Sequence, residues 1–205
     1  ASNFPYEETV YCIYQTKNDE NSHYSCIILT YIIHVSCPDP NVPPSNYSML
    51  IDINNIFGIH KDGKNDSDVL ELEIKYSDIT KFPTPFCEKF KSLKVLRITA
   101  KIKILNYVVL SNLTNLEELY MSHNNVRVIS SNTFKLNKKL RIINLEGNPV
   151  KTIGLATFWH PQKLTYLDTR SFSCLQYQAK SHNAVEELVF TQRNLNCTAH
   201  DSLFC

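Results

Sequence analysis

Eleven-residue segments recur along this chain in nearly constant phase, and no other feature limits its fold as strongly. Each follows the pattern L-x-x-L-x-L-x-x-N-x-L, with other aliphatic residues allowed at the leucine positions. Two segments match it fully, Leu116-Glu-Glu-Leu-Tyr-Met-Ser-His-Asn-Asn-Val126 and Leu140-Arg-Ile-Ile-Asn-Leu-Glu-Gly-Asn-Pro-Val150. Val69-Leu-Glu-Leu-Glu-Ile-Lys-Tyr-Ser-Asp-Ile79 keeps the register with Ser77 at the asparagine position, and Leu93-Lys-Val-Leu-Arg-Ile98 keeps it with Lys101 there. Segments starting at Asn46, Leu164 and Val185 fit less well and gain weight from their phase. The seven starts, at 46, 69, 93, 116, 140, 164 and 185, are 23, 24, 23, 24, 24 and 21 residues apart, which is too regular for chance.

The spacing has a direct physical reading. The aliphatic positions turn inward around a short strand, and one coil of this size cannot cover its own apolar side, so successive coils must stack. This pattern is the leucine-rich repeat. It predicts an α/β solenoid, with a short parallel β-sheet on the concave face, loops and short helical turns on the convex face, and disulfide-bonded caps. Phe134 and Phe158 share one offset from their motif starts, with Phe86 and Leu110 one residue short of it, which predicts an apolar spine on the convex side. The asparagines Asn54, Asn124 and Asn148 carry amides able to satisfy backbone groups as the chain leaves each strand, so their expected role is structural.

Side chains alternate along a strand, so positions three, five and seven of each motif face outward from the concave sheet. Position three reads Ser48, Glu71, Val95, Glu118, Ile142, Tyr166 and Glu187. Position five reads Leu50, Glu73, Arg97, Tyr120, Asn144, Asp168 and Val189, and position seven reads Asp52, Lys75, Thr99, Ser122, Glu146, Arg170 and Thr191. The candidate partner-binding set is Glu71, Glu73, Val95, Arg97, Glu118, Tyr120, Ile142, Asn144, Tyr166, Asp168 and Arg170. Tyrosine and arginine in its centre combine large contact area with hydrogen bonding, as interface anchors do.

A solenoid exposes core at its ends unless something covers it. Residues 1–45 are expected to form an N-terminal cap containing a strand in the apolar run 26–37, residues 46–195 the solenoid of about seven repeats, and residues 196–205 a C-terminal cap or tail. Six of the seven cysteines, Cys12, Cys26, Cys37, Cys87, Cys174 and Cys197, are candidates for structural disulfides. Cys12–Cys26 could close a hairpin, and Cys37–Cys87 could tie the cap to the second coil. The odd cysteine is either a buried thiol, with Cys174 at an inward position, or Cys205 in an intermolecular disulfide that makes a linked dimer. Cysteines without C-x-x-C pairs, together with glycosylation sequons at Asn46, Asn65, Asn112 and Asn196, point to a secreted chain. No signal peptide is visible at Ala1, which fits either a mature secreted chain with its leader removed or a cytosolic protein; the cysteines favour the former.

Chemistry of other kinds lacks residues to carry it. A formal charge of +1 without a Lys/Arg block argues against nucleic-acid and anionic-membrane partners, and the longest apolar run is too short and too interrupted to span a bilayer. The histidines are scattered, and Asp62-Gly-Lys-Asn-Asp-Ser-Asp68 lacks the sixth-position glycine of a calcium loop, so no metal or cofactor is expected. Four glycines leave no phosphate-cradling loop or nucleophile elbow, so no catalytic residue is nominated.

Within the extracellular leucine-rich-repeat proteins, the chain resembles the N-terminal repeat region of secreted dipteran, mosquito-type immune proteins that act with thioester-containing complement-like factors. Cys12, Cys26 and the apolar segment carry the likeness, with Val69-Leu-Glu-Leu-Glu-Ile, Ile79-Thr-Lys-Phe-Pro and Leu116-Glu-Glu-Leu-Tyr-Met through Asn124, over roughly residues 10 to 160. Members of that family are joined by an intermolecular disulfide near the end of the repeats, which the resemblance places at Cys205 or a neighbouring cysteine. The expected function is non-enzymatic recognition of a protein or other macromolecule through the concave face, in innate immunity or host interaction. Matrix assembly and inhibition of a secreted enzyme are the alternatives.

Overall fold

A computed structural model describes residues 9–16, 23–28, 55–57, 59–75, 79–82, 88–173 and 175–194. In chain order the strands are β1 (Thr9–Tyr11), β2 (Ile13–Thr16), β3 (Tyr24–Ile28), β4 (Asn55–Phe57), β5 (Glu71–Ile74), β6 (Val95–Ile98), β7 (Ile104–Leu105), β8 (Glu118–Tyr120), β9 (Val128–Ile129), β10 (Ile142–Asn144), β11 (Thr152–Ile153), β12 (Tyr166–Asp168) and β13 (Gln178–Ala179). The α-helices whose bounds lie among the described residues are α1 (Tyr107–Leu110) and α2 (His182–Asn194).

Five motifs supply strands. Their fourth residues, Leu72, Leu96, Leu119, Ile143 and Leu167, are fully buried, as are or nearly are their first residues, Val69, Leu93, Leu116, Leu140 and Leu164. Burying one side of each short strand while its alternate residues face out drives β5, β6, β8, β10 and β12 into one parallel stack. The whole sheet runs β13-β12-β10-β8-β6-β5-β3-β2. On the opposite side of the coils, β7, β9 and β11 form a small parallel sheet. Between the layers lies one continuous apolar core, in which Phe134 and Phe158 stack with centroids 5.7 Å apart beside the buried Leu110. This is the expected convex spine, with Phe86 outside the described residues.

The motif asparagines join coils. Asn124 Nδ2 donates to Ile98 O at 2.7 Å and Met121 O at 3.0 Å, while its Oδ1 accepts from the N–H groups of Ala100 and Ile102 at 3.1 and 3.3 Å. Asn148 repeats the arrangement one coil on, donating to Met121 O and Leu145 O and accepting from Val126 N–H. Each amide thus satisfies its own coil and the preceding one. Asn54 lies outside the described residues.

Immediately before the asparagine position, which Phe172 fills in the last strand motif, the chain turns through left-handed backbone: His123 has φ 54°, Gly147 φ 73° and Ser171 φ 82°. Asn132 and Ala156 share a second such position, at φ 57° and 54°. These repeating conformations close the coil, and only at Gly147 does the residue itself announce one.

Two motifs do not behave as the phase predicts. The strand beside β5 is β3, in register Ser25↔Glu71 to Ile28↔Ile74, not a strand from the segment starting at Asn46. Within that segment only residues 55 and 56 are described, in β4, which pairs instead with β1. Ser48, Leu50 and Asp52 lie outside the described residues. The segment at Val185 is helix α2: Val185 and Leu188 are buried and Val189 partly so, a spacing of three and four that forms one helical stripe. The L-x-x-L half of the repeat has that same spacing, which is why the segment reads both ways. Glu187, Val189 and Thr191 are therefore not on the sheet, and β13 holds its edge by pairing antiparallel with β12.

At the other end β2 and β3 form an antiparallel hairpin closed by a Cys12–Cys26 bond, one of the pairings the sequence left open. Cys37, Cys87, Cys174, Cys197 and Cys205 lie outside the described residues. His60 braces the hairpin: its ring sits 3.9 Å from that of Tyr14, and its nitrogens meet Asp66 Oδ1 at 3.0 Å and the Tyr24 hydroxyl at 3.3 Å.

Candidate concave binding face

Strand register turns the outward positions into two continuous rows. One runs Ser25, Glu71, Val95, Glu118, Ile142, Tyr166, and the other Ile27, Glu73, Arg97, Tyr120, Asn144, Asp168, Gln178. All eleven nominated residues lie in these rows or, for Arg170, two residues beyond Asp168. Ser25, Ile27 and Gln178 extend the rows without having been nominated, because β3 and β13 carry no repeat motif. Only a local alternation, such as Ser25-Cys-Ile27, hinted at them.

Two polar clusters stand on this face. In the first, Glu71 is 3% exposed beneath Arg97, whose Nε donates to Glu71 Oε1 at 2.9 Å. The same guanidinium lies 3.9 Å from the centre of the Tyr120 ring, close enough for a cation–π contact. Tyr120 Oη donates to Glu118 Oε2 at 3.0 Å, and Arg141 reaches Glu118 Oε1 at 3.3 Å. Burial raises the Tyr120 phenol above its ordinary value, helped by the Glu118 carboxylate that holds its proton. For Arg97, burial opposes the charged form, but the hydrogen bond to Glu71 and the nearby Tyr120 and Glu71 raise the net value.

The second cluster closes on Asp168, which is fully buried. Arg170 donates to its Oδ1 and Oδ2 from Nε, and to Oδ2 from a terminal nitrogen at 2.7 Å. Gln178 donates to Asp168 Oδ2 at 2.8 Å and Tyr166 Oη does so at 3.0 Å. Arg170 also pairs with Glu146 at 3.0 Å. Burial pushes the Asp168 carboxyl upward, but hydrogen bonds from Arg170, Gln178 and Tyr166 outweigh it and hold the group below its ordinary 3.8. A depressed carboxyl contributes stability that is complete above 3.8 and is lost as pH falls through the lower folded value. Acid titration followed by tyrosine fluorescence should therefore show the melting temperature dropping below pH 3.8, with the drop blunted in Asp168→Asn.

Between the clusters lie Ile142 and Asn144, both half-buried. Asn144 Oδ1 accepts from the Glu146 N–H at 3.0 Å, as Asp168 Oδ1 does from the Arg170 N–H at 3.1 Å. Val95, like Glu71 and Asp168, faces this side but is covered by its neighbours. The reachable surface is formed by Glu73, Arg97, Glu118, Tyr120, Ile142, Asn144, Tyr166 and Arg170. Its charges are mutually satisfied, so the face offers a fixed shape with hydrogen-bonding edges and an aliphatic centre.

A cleft of about 520 Å³ lies elsewhere, between the loop Phe158–Leu164 and helix α2, with Trp159 and Phe190 at its walls. None of the nominated residues lines it. Two sequons fall on described residues: Asn65 and Asn112 are both exposed. Asn65 caps a 3-10 turn through Oδ1, which leaves its Nδ2 uncommitted to that bond. Asn46 and Asn196 lie outside the described residues. Among the described residues no His/Cys/Asp/Glu group is arranged to hold a metal, and no helix is long and apolar enough to cross a membrane.

Comparison with known proteins agrees with this construction. No curated protein matches the chain. The leucine rich repeat family model matches residues 114–171, the stretch from just before β8 to just past β12. Repeats of this type commonly mediate protein binding and are typically non-enzymatic. With five in-register motif strands, inter-coil asparagines and that match, the chain folds as a leucine-rich-repeat solenoid.

Proposed function

We propose that this is a secreted, non-enzymatic recognition protein that grips a protein partner across its concave sheet, in extracellular defence or host interaction. The supporting observation is the Arg97–Tyr120–Glu118 cluster on a rigid parallel sheet. Its side chains are already held in place by one another, so binding loses little further side-chain freedom. The Cys12–Cys26 bond and the exposed sequons at Asn65 and Asn112 favour an oxidising, glycan-adding route to the extracellular space. Under this reading Cys205 is the candidate for a covalent link to a partner or second copy.

The test needs variants that leave the fold intact. Arg97→Ala is unsuitable, because it strips the buried Glu71 of its cation. Tyr120→Ala and Ile142→Arg change the reachable face instead, and Leu155→Arg, on an exposed convex residue, serves as control. A partner cross-linked from the source's extracellular fluid, identified and purified, is titrated against all three. The expected result is a loss of about tenfold or more for each concave variant, corresponding to roughly 1.4 kcal/mol or above. The control should bind like the wild type. Full binding by both concave variants alongside loss in Leu155→Arg moves the site to the convex side.

A further inference from the structure

The loops that lead into the last two motif strands carry a concentration of cations absent from the concave face. Lys135, Lys138 and Lys139 precede Leu140, and Lys163 precedes Leu164. The register Ile142↔Tyr166 sets Lys139 and Lys163 one coil apart, a backbone spacing of about 5 Å. The same loops stack further along the solenoid: Lys139 Nζ donates to Asn115 Oδ1 at 2.8 Å, and Asn115 Nδ2 donates to Lys91 O at 3.2 Å. All four lysines are exposed, and among the described residues none is in an ion pair. Nearby Lys94 and Arg141, by contrast, are both engaged by Glu117.

The local field registers on a neighbour. His160, hydrogen-bonded to Asn132 Oδ1 at 2.8 Å, is held below its ordinary value first by burial and then by Lys135 and Lys138. Uncompensated positive charge therefore gathers on one edge of a chain whose formal net charge is only +1.

We propose that this edge binds a linear sulfated polysaccharide. Lysine ammonium groups on flexible, hydrated stems act as point charges, suited to the sulfate oxygens of a polyanion whose counterions are released on contact. The patch is also short. The preceding loop carries neutral Ser111, Thr114 and Asn115 at the corresponding places, so the contiguous run of cations covers two coils and is then interrupted before Lys91, a poor match for a duplex footprint. The choice of polysaccharide over nucleic acid rests in part on the extracellular reading above, and one arm of the experiment separates the two. The surface is distinct from the concave rows, so it leaves a protein partner free to bind at the same time.

The experiment is calorimetric titration of a heparin hexasaccharide into the full chain from about 50 to 300 mM NaCl, with a 12-base-pair DNA duplex in parallel. The wild type should bind the hexasaccharide with a log K against log salt slope of about −3, as for four contacts. Replacing the four lysines by glutamine should weaken binding about 30-fold or more at the lowest salt, without moving the melting temperature. Replacing them by arginine should keep affinity within about threefold. Three results overturn the proposal: no binding by the wild type, undiminished binding by the glutamine variant, or duplex binding as tight as that of the hexasaccharide. None of the three bears on the concave face, which stands or falls on its own variants.

Discussion

Asn124→Ala should lower the unfolding free energy by about 4 kcal/mol, read as a shift of the urea midpoint with unchanged slope. The side chain is buried, and methyl in place of amide withdraws a partner from five backbone groups at once, of which Met121 O alone keeps a side-chain donor, Asn148 Nδ2. Ile98 O, Met121 O and Ser122 O lose a donor, while Ala100 N–H and Ile102 N–H lose an acceptor. Each such group left unsatisfied in the interior costs about 1 to 3 kcal/mol, less than additively because neighbours relax. Three of the five lie in the preceding coil, which has Lys101 where its own asparagine would stand. That coil depends on a borrowed amide, so amide hydrogen exchange should accelerate around residues 98–102 as well as around 121–124. Acceleration confined to 121–124 would show that the preceding coil closes without it.

Gly154→Ala should cost about 3 kcal/mol, seen as a melting temperature lower by roughly 6 to 12 °C. A β-carbon at residue 154 would fall within the van der Waals shells of the Ser131 backbone nitrogen and the Ser130 carbonyl carbon. Those atoms are main chain of the adjacent coil and cannot rotate away. The close approach is maintained by Gly154 N–H, which donates to Ile129 O at 2.7 Å and anchors the end of the convex sheet. Separating the coils to admit a methyl group pulls on that bond and on the stacked Phe134–Phe158 pair. A change of less than about 2 °C would mean that the convex layer yields easily.

The central coils could be read in the chain itself because two constraints coincide there. At Leu116–Val126 and Leu140–Val150, inward aliphatics and a loop asparagine are both required, so the motif is complete and its outward residues follow by alternation. Glu118, Tyr120, Ile142 and Asn144 stand where that alternation puts them. At the ends only one constraint operates. Val185-Glu-Glu-Leu has the apolar spacing but nothing to demand a strand, and the helical stripe of Val185, Leu188 and Val189 covers the end of the core equally well. Tyr24–Ile28 enters the sheet through its hairpin with β2 and the Cys12–Cys26 bond, neither of which follows repeat spacing.

Exposure was the harder property to foresee. Glu71 and Asp168 sit in outward rows, yet Arg97 and Arg170 fold down over them, because a carboxylate flanked by guanidinium groups gains more from charge-assisted hydrogen bonds than from water. The Arg97–Glu71 pairing depends on which residues become neighbours across successive coils and needs the register, whereas Arg170 reaches Asp168 within one coil, two residues away. Left-handed turns at His123 and Ser171 were equally hidden, since the residues that occupy them are not glycine.

The antiparallel strands at the two edges have a bearing on how copies of this protein can meet. A parallel stack is by nature a template: its last strand displays the groups that would accept another identical coil, and an uncovered end invites head-to-tail polymers. Here β2 reverses direction before β3, and β13 reverses after β12 over only two residues. A second molecule approaching either edge finds the strand polarity inverted, and at β13 a hydrogen-bonding frontage of only two residues. An identical coil therefore cannot continue the parallel stack in register at either edge, because the strand it would meet runs the other way.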